Sequence, residues 1–164
     1  MSRQRVEPGP GQESVWDYPR PPRMEDVGER VKVVFGGVTI AYTTRAKRVL
    51  ETSHPPVYYV PPEDIRTEHL RASSATSYCE WKGRTSYYDV VTEDRTEEQA
   101  AWFYPSPTGS FRDLKDYVAF YPSKMDACWV GGKKVGAQEG DFYGGWITPN
   151  IVGPFKGAPG TWGW

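Results

Sequence analysis

Three groups of residues have the types and spacing for chemistry. The first is Cys79-x-x-Lys82-Gly83. A thiol beside an ammonium loses its proton more easily, and the thiolate is the nucleophilic form. In a regular strand positions 79 and 82 point to opposite faces, so a nucleophile requires a turn that brings them to one side. Without that turn Cys79 is a small buried side chain beside a glycine-stopped strand, the usual fate of an unpaired cysteine. The second group is Glu51-Thr52-Ser53-His54-Pro55-Pro56. Here Glu51 and His54 form a potential acid and base pair, presented by a loop that the prolines stiffen. The bland alternative is a helix-ending turn with a solvated Glu51 and a partly exposed His54. His69, in Arg66-Thr67-Glu68-His69-Leu70, has no comparable setting.

The third group is aromatic and cationic: Tyr58 or Tyr59, Tyr87 or Tyr88, Trp102 and Tyr104, with Arg48, Arg66 and Lys82. Binding pockets combine apolar walls with a few polar groups, and Tyr and Trp supply both. Cations among rings suit a planar or anionic ligand through charge pairing and cation–π contact. From this set Arg48, Tyr59, Lys82, Tyr88, Trp102 and Tyr104 are the expected ligand-binding residues, with Cys79 and Glu51 at the edge; Cys79, Glu51 and His54 are the candidate catalytic groups. The competing demand is core packing, because alternate residues of every strand in a small β fold face inward.

The elements that must position these groups are mostly strands. Val outnumbers Leu 16 to 3, and 24 of 164 residues are Trp, Tyr or Phe, the side chains that suit a pleated surface. Gly and Pro together make 32 residues, which implies many turns. Val31–Phe35 and Val38–Ile40 flank Gly36-Gly37, the signature of a tight hairpin. A similar pattern surrounds Gly131-Gly132, and aromatic strands are expected at 85–91, 101–104 and 117–121. Ala46, Val49 and Leu50 fall on one face of a helix over 44–51. Ser110–Leu114 reads as a capping box, and Pro61-Pro62-Glu63-Asp64 opens a short turn.

Three segments follow. Residues 1–28, rich in Pro and Gly, form an extended or mobile arm whose Trp16 and Tyr18 dock on their own domain. Residues 29–136 form an all-β core, mainly antiparallel, and 137–164 a Gly- and aromatic-rich tail packed on it. The formal net charge is −1, with 20 Lys and Arg against 21 Asp and Glu, so a nucleic-acid partner is not expected. No apolar run approaches the roughly 20 residues of a membrane helix, and no apolar leader opens the chain; a soluble, cytoplasmic protein is expected. Two cysteines and two histidines lack the paired spacing of a structural zinc site. No metal or cofactor is expected. No phosphate loop, dinucleotide fingerprint or Gly-x-Ser-x-Gly elbow occurs.

The run Val33–Ile40, then Arg48-Val49-Leu50-Glu51-Thr52 and Pro56-Val57-Tyr58-Tyr59 with Pro61 and Asp64, resembles the family called domain of unknown function 427. Cys79-Glu80-Trp81-Lys82-Gly83, Tyr87, Tyr88, Ala101-Trp102 and Tyr104-Pro105 extend the resemblance over Val31 to Val135, and the arm and tail are similar to extensions in its longer members. The resemblance implies a compact all-β unit, tent-like or barrel-like, similar to the B-type methionine sulfoxide reductases but without their zinc. The family also carries a nucleotidyltransferase-like label. The chain has no Gly-Ser pair on a helix followed by closely spaced paired aspartates to hold two Mg²⁺ ions, as that reaction needs. The resemblance brings no established activity. The reading it leaves is a small-molecule-binding module, with two alternatives: an enzyme using Cys79 or the Glu51/His54 pair, or an interaction module whose aromatic arm and tail join subunits, as in a homodimer.

Overall fold

Residues 5–79, 81–140 and 142–164 are described by the structure, a computed structural model. Met1–Gln4 of the arm and Glu80 of the Cys79–Gly83 run therefore lie outside the described residues. The strands are β1 (Glu13–Ser14), β2 (Arg23–Val27), β3 (Val31–Phe35), β4 (Val38–Thr43), β5 (Ala46–Leu50) and β6 (Val57–Tyr59). After a stretch of short turns come β7 (Leu70–Cys79), β8 (Gly83–Val91), β9 (Thr96–Phe103), β10 (Val118–Phe120) and β11 (Ala127–Val130). Four two-residue strands complete the chain: β12 (Lys133–Lys134), β13 (Gly136–Ala137), β14 (Trp146–Ile147) and β15 (Ile151–Val152). The protein is all-β and mainly antiparallel, and its sheets stay open rather than closing into a barrel.

Both Gly-Gly hairpins form. Gly36 and Gly37 have φ of 59° and 75°, and Gly131 and Gly132 have 57° and 81°, the two positive values a type I′ turn demands. The hairpins lie side by side, β3 pairing with β11, in a sheet of order β12-β11-β3-β4. A second sheet runs β10-β9-β8-β7 and a third β2-β5-β6. The last two join edge to edge where Val60 and Val118 exchange backbone hydrogen bonds of 2.8 and 2.9 Å. The result is one continuous strand surface from β2 to β7. Its inner face, including Ala46, Tyr58, Val60, Ala101, Val118 and Phe120, buries against Val31, Val33, Phe35 and Ile40 of the hairpin sheet. Trp146 of the tail is fully buried in this core; it stacks on Tyr58 at 5.1 Å, and its indole N–H donates to the Phe120 carbonyl at 3.0 Å.

The helix expected over 44–51 is strand β5. A helical face would have left Lys47 and Arg48 in solvent. In the strand they sit directly across from Asp26 and Glu25 of β2 and pair with them, at 2.6 Å each. The apolar residues still find burial, because β5 is the central strand of its sheet and both faces are covered: Ala46 and Leu50 on one, Val49 on the other. That sheet draws β2 from the stretch expected to be an extended arm. The arm also buries Val15 and Tyr18 against Leu50 and Ile151, so the docking expected for its aromatics occurs. Residues Gly109–Leu114 form a 3-10 turn rather than a capping-box helix; Thr108 is its N-cap and makes no side-chain cap bond, while Phe111 and Leu114 face inward as the pattern requires. Among the described residues no helix is long and apolar enough to cross a membrane.

Candidate functional site

The outer face of the β5-to-β7 surface is concave, and strand alternation decides which residues look into it. On β5 the residues facing outward include Val49, with Glu51 following; on β6, Val57 and Tyr59; on β9, Trp102, with Tyr104 following; on β8, Thr85 and Tyr87; and on β7, Ser77 and Cys79. These line a cleft of about 320 Å³. Phe142, Tyr143 and Lys156 of the tail roof it, and the Tyr121 hydroxyl donates to the Phe142 carbonyl at 3.1 Å, tying floor to roof.

Of the expected binding residues, Tyr59, Lys82, Trp102 and Tyr104 meet in this cleft, together with all three candidate catalytic groups, Cys79, Glu51 and His54. Two do not. Arg48 alternates with Val49 and so points to the opposite face of β5, where Glu25 and Glu13 engage its guanidinium, the Glu13 contact at 3.3 Å. Tyr88 alternates with Tyr87 and stacks instead on Phe103, centroids 4.6 Å apart. Sequence reasoning missed the roof, whose residues lie far along the chain from the strands they cover. Of the two adjacent tyrosines it offered, it settled on Tyr88, whereas Tyr87 is the one that sits directly across from Trp102 and lines the cleft.

The turn that Cys79 and Lys82 require is present. Cys79 pairs with Gly83 across the tip of the β7–β8 hairpin, and Gly83 takes φ of 99° to close it. Thr108 pins the tip, its N–H donating to the Lys82 carbonyl at 3.1 Å and its hydroxyl to the Trp81 carbonyl at 3.2 Å. Lys82 Nζ consequently donates toward Cys79 Sγ at 3.6 Å. The Lys82 side chain is buried, 8% exposed, and its ammonium lies 5.6 and 5.5 Å from the centroids of Tyr104 and Phe111. Among the described residues that sulfur is its one hydrogen-bond partner and no carboxylate lies within ion-pair distance. Burial holds the Tyr59 and Tyr104 hydroxyls well above the usual tyrosine range, so both stay protonated. The Tyr104 hydroxyl faces those of Tyr59 and Thr85 and the indole of Trp102.

Across the cleft, Glu51 Oε2 is 3.8 Å from His54 Nε2 and 3.3 Å from Arg20 Nε. His54 is buried, and loss of solvent, reinforced by the positive charges of Lys156, Arg20 and Lys82, pushes its pKa down to about 3. The imidazole is therefore neutral near pH 7, and its contact with Glu51 is not an ion pair. The Gln138 amide fixes its tautomer. Oε1 of Gln138 accepts from the Gly145 N–H at 3.0 Å, and Nε2 donates to the Lys156 carbonyl at 2.7 Å. Those two backbone partners allow one orientation of the amide, which places Nε2 3.4 Å from His54 Nδ1. Nδ1 must accept, so the proton resides on Nε2, facing Glu51. A neutral imidazole with its free lone pair already engaged is a hydrogen-bond donor to the cleft rather than a general base at neutral pH. Among the described residues no three of His, Cys, Asp and Glu converge as a metal ion would need.

The fold and site define an all-β protein with an aromatic cleft, a buried ammonium on its floor and a thiol beside that ammonium. A family model described as "Domain of unknown function (DUF427)", labelled NTP_transf_9, matches residues 23–131. The chain belongs to that family. No curated protein matches it.

Proposed function

We propose that the cleft binds a small, flat, polar or anionic molecule, one of whose oxygen atoms accepts hydrogen bonds from the Lys82 ammonium. The observation that carries this reading is the setting of Lys82: a buried cation whose one hydrogen-bond partner among the described residues is a sulfur. Removing an ammonium from water without an oxygen acceptor costs several kcal/mol, and a ligand carboxylate or carbonyl would recover part of that. The Glu51 carboxylate is engaged by Arg20, and a second cation, Lys156, sits over the Tyr143 ring at 5.3 Å, so the cleft favours negative charge. Trp102, Tyr59 and Tyr121 supply flat walls on which a conjugated ligand gains apolar burial.

The test is thermal unfolding against a panel of aromatic carboxylates, conjugated carbonyl compounds and nucleotides. A ligand at 100 times its dissociation constant adds roughly 2.7 kcal/mol, which for a chain of this size raises Tm by about 5–11 °C. Lys82→Met and Trp102→Leu should each abolish the rise while leaving a cooperative transition. A panel in which no flat oxyanion or carbonyl compound raises Tm overturns the reading.

A further inference from the structure

The tip of the β7–β8 hairpin joins two features that binding alone does not need. One is a partly exposed thiol on the floor of the cleft. The other is the buried ammonium 3.6 Å from its sulfur; the ammonium has no other hydrogen-bond partner among the described residues. Around them stand the hydroxyls of Tyr59 and Tyr104, kept as donors by burial. A nucleophile beside a fixed set of N–H and O–H donors suits reactions that place negative charge on an oxygen.

The surroundings also select among such reactions. Acyl transfer needs a base for the thiol and an acid for the leaving group, which cysteine hydrolases take from a histidine. Here the buried imidazole, His54, accepts from Gln138 and faces Glu51. An addition in which nothing leaves still needs the thiolate and a stabilised oxyanion but no acid at a leaving group, and the Lys82 ammonium is placed for the oxyanion.

We propose that Cys79 adds covalently to a planar α,β-unsaturated carbonyl compound held in the cleft, with the carbonyl oxygen on Lys82. The thiol sulfur forms a bond to the β-carbon and the C=C π pair moves through the carbonyl to give an enolate paired with Lys82. The proton lost by sulfur ends on the α-carbon. The product is a thioether containing every atom of both reactants, with no oxidant, reductant or leaving group. This proposal rests on the cleft reading above.

The experiment uses the full chain with 3-benzoylacrylate, a flat enone acid, and its saturated analogue 3-benzoylpropionate, which offers the same carbonyl and carboxylate but no electrophilic carbon. Intact mass spectrometry should show a gain equal to the whole mass of the enone. Peptide mapping should place it on Cys79, with Cys128, 1% exposed, reacting at least about a hundredfold more slowly. The rate should exceed that of glutathione at the same pH by at least about tenfold, and Lys82→Met should remove most of that advantage. Cys79→Ser should take up no mass yet keep the Tm rise with 3-benzoylpropionate, which also reports that the variant folds. A Tm rise with 3-benzoylpropionate but no faster labelling than glutathione overturns the covalent proposal and leaves the cleft reading standing. Labelling of Lys82→Met at the wild-type rate removes Lys82 from the step. Fast, site-specific labelling lost in Lys82→Met upholds it.

Discussion

Replacing Gln138 by Met should loosen the roof of the cleft without carving a cavity. The two side chains are similar in length, but Met offers no donor and only a weak acceptor. The substitution removes three hydrogen bonds, to the Gly145 N–H, the Lys156 carbonyl and His54 Nδ1, and leaves a buried N–H without a partner. Each net hydrogen bond is worth about 1 kcal/mol, and an orphaned buried group costs about 1–3 kcal/mol. The 3.4 Å bond to His54 contributes least, so the total is roughly 3 kcal/mol, or a Tm lower by about 6–12 °C in a chain of this size. The damage should be local as well as global. Amide hydrogen exchange should accelerate first between residues 138 and 157, while the Val31–Phe35 hairpin strand keeps its protection. A Tm within about 2 °C of wild type, with unchanged exchange in the tail, would refute the role given to Gln138 as the clamp between roof and floor.

Other predictions follow from single residues. His54 is neutral in the fold with its pKa depressed to about 3, whereas in the unfolded chain it protonates near pH 6.5. Its contribution to stability is therefore complete above pH 6.5 and lost as pH falls toward 3, by up to about 1.4 kcal/mol per pH unit. His54→Gln should flatten the dependence of urea-unfolding free energy between pH 6 and 4 by about one proton, and identical slopes would count against a buried neutral imidazole. Arg48→Met removes the guanidinium that Glu25 and Glu13 share on the far face of β5 and should lower Tm, yet leave any ligand-induced rise intact; loss of that rise would place Arg48 back in the cleft. Gly144 has φ of 69°, and a Cβ there would approach the Trp102 ring to 2.5 Å. Gly144→Ala should thus cost about 2–4 kcal/mol from backbone strain and overpacking, with altered Trp fluorescence; a wild-type Tm would show that ring to be free to move.

The hairpins, the aromatic strands and most of the cleft floor were legible in the chain, because Gly-Gly pairs and period-two alternation are local signals. Tyr59, Trp102, Tyr104, Lys82 and Cys79 were recognisable as a set, since chemistry-bearing types cluster in three short runs. β5 was misread because Ala46, Val49 and Leu50 satisfy both a helical stripe and a strand covered on two sides. What decides between them is Glu25 and Asp26, two dozen residues earlier, lying across from Arg48 and Lys47. The same strand reading moves Arg48 out of the cleft. β7 left no trace, for its sequence Leu70-Arg-Ala-Ser-Ser-Ala-Thr-Ser-Tyr-Cys79 lies at a sheet edge and is mostly solvated, so no apolar period exists to read. Tyr87 and Tyr88 are adjacent and alike, and a register irregularity between Tyr88 and Val90 weakens even the alternation that separates them.

The stretch matched by the family model ends at residue 131, and this divides the cleft into two inheritances. Thiol, ammonium and aromatic floor lie inside that stretch, whereas Phe142, Tyr143 and Lys156 lie beyond it. On the two proposals above, reactivity and selectivity reside in separate portions of the polypeptide. On those proposals, a change of roof after β13 that keeps the buried Trp146 would retune which molecule is admitted while Cys79 and Lys82 stay in place. For an engineer, a library confined to the stretch after β13 would test that division directly.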